Sequence, residues 1–552
     1  MISQLFLGIM AIVFLSMLVS RKRRRIWPLL LLVGTTALSC LFYNRINLLP
    51  DALLSYQWQA YTSLKAKFVI VATPQLIRNL QFLLPMLLGL LYLNLVYPRE
   101  EHPLTAGNIM LLLLAAFVFM YSSQDFMQLM SGSCCFSILS FYLINDIEAK
   151  NKFIFYNFTA EMAVFTALSI LYAKTGNVSL SSAADFAHHG WHRDLVVLLL
   201  LVGVLIKCGM FLFQNQLLNL RNLEFARMFA ASTLASPLSG LLIYYKLFPI
   251  FCASSYVEPV LYAILFLSVL CCLGGLLWQD NLKSKILYFN MLFFAFALFL
   301  LQRRADALDT TIIPLLPMVV LVNWVLMLAS ISTSDEIYVS QMGGIFGAAK
   351  YNLLLAVSVV AGFALMVLHL GNGWPFIVYL GLAMFGLAVN LHSIYLGRCF
   401  ADEKVEALLR NCGWRYALPI VASVAILLWW RPSFPPVELL IAMSAFLLLL
   451  IVWPQRLSNW QADNETLQER DWLDDFYRLF ITSPLHLLGR VLWLAVDFVV
   501  IERRVIGTIS EVAKRVSATL DRLQSESWRC LWLWLVSSLL LLLIVWGAYI
   551  HE

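Results

Sequence analysis

Apolar stretches of roughly twenty residues, each closed by a polar or charged cluster, follow one another along most of the chain, and that is the length an α-helix needs to cross a bilayer core. They predict spans near 2–20, 27–43, 80–97, 107–122, 126–144, 153–173, 193–213, 226–248, 259–278, 285–301, 311–331, 352–371, 375–398, 416–430, 437–453 and 529–549, about sixteen in all. Inside a bilayer the backbone has no water to bond, so such spans are helical. Only residues 454–528 are too rich in charge to cross. The pattern thus divides the chain into a transmembrane domain over 1–453, a polar segment over 454–528 and a C-terminal anchor over 529–552.

The polar segment has a rhythm of its own. Val505, Ile509, Val512, Val516, Leu520 and Leu523 recur at spacings of three and four, with Arg503, Arg504, Lys514, Arg515, Asp521 and Arg522 between them. This predicts an amphipathic helix lying along the membrane surface. Run from Leu485 to Gln524 it would extend about 60 Å at 1.5 Å per residue, longer than one helical bundle is wide. Such a helix reaches beyond its own bundle to a neighbour. The alternative is two shorter helices folded back beneath this domain, broken at Gly489 or Gly507.

Composition agrees with a membrane protein: 61% of the 552 residues are hydrophobic and 13% charged, with a mean hydropathy of +0.81. Soluble chains carry about a quarter charged residues. The first apolar run, Ile2 to Ser20, precedes Arg21, Lys22, Arg23, Arg24 and Arg25, the reverse of a cleavable signal peptide, and reads as a retained span. With the N-terminus outside, inner loops hold roughly sixteen basic residues and outer loops roughly eight. The inner set includes Lys150, Lys152, Lys283, Lys285, Lys404, Arg410 and Arg415, so both termini are expected to face outward, in a bacterium toward the periplasm across the inner membrane. The net charge of +6 is explained by this orientation without nucleic acid. The ten cysteines, including the adjacent pairs Cys134 and Cys135, and Cys271 and Cys272, show no metal-ligand spacing and read as small packing residues.

Four stretches carry a resemblance: LLVGVLIKCGMFLFQNQLLNL (200–220), LLWQDNLKSKILYFN (276–290), QMGGIF (341–346) and DWLDDFYRLFITSPLHLLGRVLWLAVDFVVIERRVIGTIS (471–510). In this order they resemble the antiporter-like membrane subunits of respiratory complex I, specifically subunit L, related to the large subunit of Mrp-type cation/proton antiporters. The similarity runs from about Ala106 to the end of the chain. It implies an all-α polytopic fold of antiporter-like inverted repeats, each with a broken helix near the midplane, followed by a lateral helix and a final span. It also implies partners: other membrane subunits of a multi-subunit complex, contacted through residues 485–552.

An ionisable side chain at bilayer depth is costly and usually faces a hydrated interior or a partner. Lys207, in the expected span 193–213, aligns with the family's central lysine, a proton-relay position; the alternative is a lysine snorkelling to the inner interface. Glu161, about eight residues into the span 153–173, lies near the family's acidic station and is the expected partner of Lys207; the alternative is an interfacial carboxylate paired with Lys152 or Lys174. Lys283 matches the family's loop lysine, although Lys283 and Lys285 also serve as inner topology charges. Pro237 and Gly240 interrupt the span 226–248 as either the family's broken helix or a plain kink.

Departures from the family are as informative. Its fifth-span glutamate falls near Cys134, its eighth-span histidine at Phe229 or Ser232, and its HxxxHxxxK pattern at Leu315, Val319 and Asn323. The lysine–aspartate outlet has no counterpart near Gly362 to Trp374, where only His369 is ionisable. The central stations are therefore neutral, and Asn323 can orient water but not titrate. His188, His189 and His192 superficially resemble a metal site, but no carboxylate or cysteine completes it. No metal, no cofactor and no nucleic acid is expected. Three functions compete: a divergent, non-redox antiporter-like subunit of a complex I-type, redox-driven proton translocase with an impaired path; the membrane subunit of a DAB-type inorganic-carbon uptake system; and a non-conducting structural subunit.

Overall fold

The computed structural model describes residues 52–59, 65–71, 73–96, 103–183, 190–332, 346–370, 374–396 and 507–524, with the single helical positions 483, 487, 490, 536–538 and 540. The chain divides into two compact units, Met1–Gln468 and Glu469–Glu552. In the first, the helices are α1 (Pro74–Val96), α2 (Pro103–Tyr121), α3 (Phe126–Leu143), α4 (Ile147–Thr175), α5 (Trp191–Cys208), α6 (Phe225–Thr233), α7 (Ser236–Lys246), α8 (Phe248–Ala253), α9 (Val257–Trp278), α10 (Leu282–Arg303), α11 (Ile313–Ser332), α12 (Phe346–Leu370) and α13 (Trp374–Leu396). Every span expected from 80–97 to 375–398 overlaps one of these, at 226–248 α6 and α7 together, and at 193–213 only as far as Cys208. The expected spans 2–20, 27–43, 416–430 and 437–453 lie outside the described residues, as does 529–549 apart from helical positions at 536–538 and 540. Among the described residues, seven helical stretches are long and apolar enough to cross a membrane.

Local chemistry explains where these helices begin and end. Asp146 accepts from the Ala149 N–H at 3.1 Å and caps α4, which closes on Gly176 in the left-handed conformation, its N–H returning to the Tyr172 carbonyl at 2.8 Å. Asn281 caps α10 by accepting from the Lys283 and Ser284 N–H groups. The entry to α11 is a π turn, Leu308–Ile312, leading into a segment where Pro314 and Pro317 withhold two backbone donors.

Burial separates centre from rim. Of the most apolar eighteen residues in the stretch 225–246 and in α10, 94% are buried within the protein, as are 89% of those in 308–327, against 39% in α4 and 33% in α9. The outward faces of α4 and α9 carry Phe155, Phe158, Phe165, Phe266 and Leu270, as a lipid-facing surface requires. Among the described residues there is also a pair of strands: Ala52–Gln59 (β1) pairs antiparallel with Lys65–Val71 (β2), in a stretch where the apolar pattern predicts no span. Gln128 of α3 clips this hairpin to the bundle, accepting from the Val69 N–H at 3.0 Å and donating to the Val69 and Phe119 carbonyls at 2.7 and 3.0 Å.

In the second unit Gly507–Gln524 (α14) is a helix whose residues 510–519 are all exposed, Val512 and Val516 among them. Of the expected surface helix 485–524, positions 487 and 490 are also helical, and the remainder before Gly507 lies outside the described residues.

Candidate functional site

Span seven does not run through. α5 ends at Cys208, the chain turns on Gly209 in the left-handed conformation, and it re-forms helical turns only at Asn215–Leu218 and Asn219–Asn222. Lys207 therefore stands in the last turn of a helix and not, as the continuous span 193–213 suggested, in the middle of one. The reason is glycine: the αL cap needs a residue without a β-carbon, and there the Met210 N–H bonds back to the Leu205 carbonyl at 3.0 Å. The carbonyl end of α5 favours the ammonium beside it. α4 continues well past this point, so Lys207 lies level with the middle of its neighbours.

Glu161 is the midpoint of α4, and its carboxylate meets the Lys207 ammonium at 2.7 Å, with side-chain exposures of 8% and 0%. α3 supplies the rest of the cradle. Ser133 Oγ donates to both carboxylate oxygens at 2.9 and 3.0 Å, and Ser137 Oγ, one turn on, donates to Oε1 at 2.6 Å while accepting from Lys207 Nζ at 3.2 Å. The carboxylate of α4 is thus delivered to the serine-rich stretch of α3 that contains Cys134. Neither alternative sequence reading describes the pair: Lys207 does not snorkel, and Lys152 bonds Glu148 at 3.0 Å instead of Glu161.

Two glycines bring the backbones close enough. A β-carbon at Gly203 would lie 2.6 Å from Val164 Cγ2 and 3.2 Å from the Ala160 carbonyl, which fixes how deeply α5 sits on α4. A β-carbon at Gly240 would lie 2.9 Å from Cys208 Sγ and 3.0 Å from Lys207 Cβ. Gly240 is therefore no helix break: it lies inside α7, as the notch against the Lys207 backbone. The break in span eight is at Leu234–Ala235, between α6 and α7, and Pro237 stands in the first turn of α7, where its missing N–H costs nothing.

A neutral polar ladder runs through the middle of the bundle. Asn323 Nδ2 donates to Asn290 Oδ1 at 2.7 Å, and Asn290 Nδ2 donates to Ser232 Oγ at 2.9 Å. All three are fully buried. A second neutral group follows α4: Asn157, one turn before Glu161, accepts from Ser236 Oγ at 2.9 Å, and Ser236 accepts from Gln216 Nε2 at 3.0 Å.

The other candidate, Lys283, is half-buried at the start of α10, donating to the Leu223 carbonyl at 2.6 Å with its ammonium 5.1 Å from the Phe225 ring centroid. Lys285 is no surface topology charge. It is 1% exposed and donates to the Leu276 carbonyl at 3.1 Å and to Asn390 Oδ1 at 2.5 Å. Further charges at span ends, where charge is ordinary, are buried or largely buried, among them Asp309 and Lys246. His188 and His189 lie outside the described residues, and His192 packs on Trp191 with ring centroids 3.9 Å apart.

No protein-family model matches the chain, and comparison with curated proteins finds no match. Among solved structures it is similar to a chain of the Mrp complex from Dietzia sp. DQ12-45-1b, with a TM-score of 0.63 and 12% identity over 96% of this chain and 64% of that one. At that identity the likeness is one of fold: the chain is a polytopic membrane protein whose spans are all α-helical, with the architecture of that Mrp chain.

Proposed function

We propose that this chain is a divergent antiporter-like membrane subunit of a complex I-type, redox-driven proton-translocating assembly, with Glu161 and Lys207 as a proton-exchanging station. One observation carries the reading: an ammonium and a carboxylate lie 2.7 Å apart, buried at a helix break and bridged by serine hydroxyls. In that geometry a nearby change of charge moves a proton along an existing hydrogen bond. Lys283 is a further relay position at the inner face. Ser232, Asn290 and Asn323 cannot titrate, so among the described residues the central ladder supplies no titratable station and the path of this subunit is impaired. That same ladder favours the second reading, a non-conducting structural subunit.

The assembly sits in the cell inner membrane with both termini periplasmic, and the amphipathic region with the final span engages neighbouring membrane subunits through residues 485–552. In vesicles holding the purified assembly, Lys207→Ala should lower ion coupling about tenfold or more while the subunits remain together. Unchanged coupling in an intact assembly leaves the structural reading. The proteins that copurify decide the setting: quinone-reductase subunits, lost on deletion of 485–552, support the complex I type, whereas a soluble zinc-binding partner supports the inorganic-carbon system.

A further inference from the structure

A second buried carboxylate lies outside this station. Asp309, in the π turn that opens α11, is 5% exposed and accepts from three helices: Asn79 Nδ2 of α1 at 2.7 Å and the Tyr121 hydroxyl of α2 at 2.9 Å on Oδ1, and the Tyr245 hydroxyl of α7 at 3.1 Å on Oδ2. The two phenol rings stack with centroids 6.0 Å apart. Lys246 stands beside them, its ammonium 5.3 Å from the Tyr121 ring centroid and 5.9 Å from that of Tyr245, donating to the Ser123 carbonyl at 3.2 Å. The charges of the preceding loop, Arg304 and Asp306, pair with each other at 2.9 Å. Asn79 Oδ1, Ser122 Oγ and Ser123 Oγ are buried with no hydrogen-bond partner in the protein.

The cluster has a definite place. α2 ends at Tyr121, α7 ends at Lys246, and α10 approaches its end at Gln302, which accepts from the Tyr244 hydroxyl. All three finish where the π turn begins. Lys285 lies at the other end of α10, roughly 25 Å away at 1.5 Å per residue. In the orientation that the loop charges predict, Asp309 is at the outer end.

We propose that Asp309 is a proton-exchanging carboxylate at the outer end of the bundle, with Lys246 as its counter-charge and the Asn79, Ser122 and Ser123 oxygens as the seat of the water that takes the proton away. Three orphaned acceptors and hydroxyls in one buried corner are what ordered water satisfies. On protonation a new O–H bond forms at Oδ2 from a hydronium ion, which leaves as water, and the Tyr245 hydroxyl changes from donor to acceptor on that oxygen. On release the O–H bond breaks and the proton returns to water. No electron moves. The use of this step in translocation rests on the function proposed above, whereas its chemistry does not.

The test compares the purified assembly, reconstituted in vesicles, with the same assembly carrying Asp309→Asn, Asp309→Glu or Lys207→Ala in this chain. Infrared difference spectra between acid and neutral pH, in light and heavy water, read the carboxylic acid, and an entrapped dye reads proton movement. Expected are a protonated-carboxyl band that is lost in Asp309→Asn and displaced in Asp309→Glu, and proton movement about tenfold slower in Asp309→Asn. A spectrum unchanged by Asp309→Asn overturns the proposal, as does a band that follows sodium concentration instead of pH. If Lys207→Ala leaves proton movement intact while the Asp309 band behaves as expected, the functional reading fails and this inference stands.

Discussion

Two buried polar systems in the same bundle have been built in opposite ways. Around Glu161 and Lys207, opposite charges meet at a helix end, two serines complete the carboxylate shell, and two glycines draw the backbones together. Around Asn323 and Asn290, burial is equally complete, yet every group is neutral and the helices run past without interruption at those residues. A buried charge demands compensation from several elements at once, whereas a buried amide has no charge to neutralise and loses less when one of its groups is left without a partner. Both systems touch a helix end, Lys207 in the last turn of α5 and Ser232 in the last turn of α6, but only the first carries charge there. Lys285 stands between these cases, an ammonium held by a carbonyl and an amide.

The sharpest way to break the comparison is to unbalance the pair. Glu161→Gln or Lys207→Met alone leaves its partner charged and buried, and each should destabilise the protein by about 3–5 kcal/mol in chemical denaturation. The double variant should recover most of that loss. Two additive losses would mean that the charges do not support each other. Gly240 probes the same station through the backbone: Gly240→Val forces side-chain atoms into Cys208 and Lys207 and should cost about 1–3 kcal/mol, with weaker ion coupling. Equal coupling with equal stability would detach the notch from the station. The neutral ladder should respond least. Asn323→Leu removes one donor from Asn290 and should cost about 1 kcal/mol, with coupling within about twofold of the parent. A collapse of coupling there would make the amides part of the path.

Much of this was legible along the chain. Lys207 and Glu161 were recognisable as candidates because a charge inside an apolar run stands out against its surroundings. The break beside Lys207 was harder: Pro237 is the more conspicuous breaker, yet a proline fits without cost at the first turn of α7, while Gly209, outwardly ordinary, ends α5. Asp309 and Lys246 were hidden for the opposite reason. At span ends charged residues are expected, and only convergence of α1, α2, α7 and α11 distinguishes a buried cluster from a solvated end. The hairpin over Ala52–Gln59 and Lys65–Val71 lay in a stretch with no span-length signal.

The amino-acid order by itself determined that this is a helical membrane protein and roughly where each described helix lies, because the length of an apolar run answers to the thickness of a bilayer. It also marked the amphipathic face of α14, since spacings of three and four are a property of one helix alone. Only the tertiary structure decided that Glu161 meets Lys207 and not Lys152, that Ser232, Asn290 and Asn323 form one ladder, and that Asp309 is buried. Those outcomes depend on which faces of different helices are pressed together, and the energy of a buried charge is set by the groups that other segments bring to it.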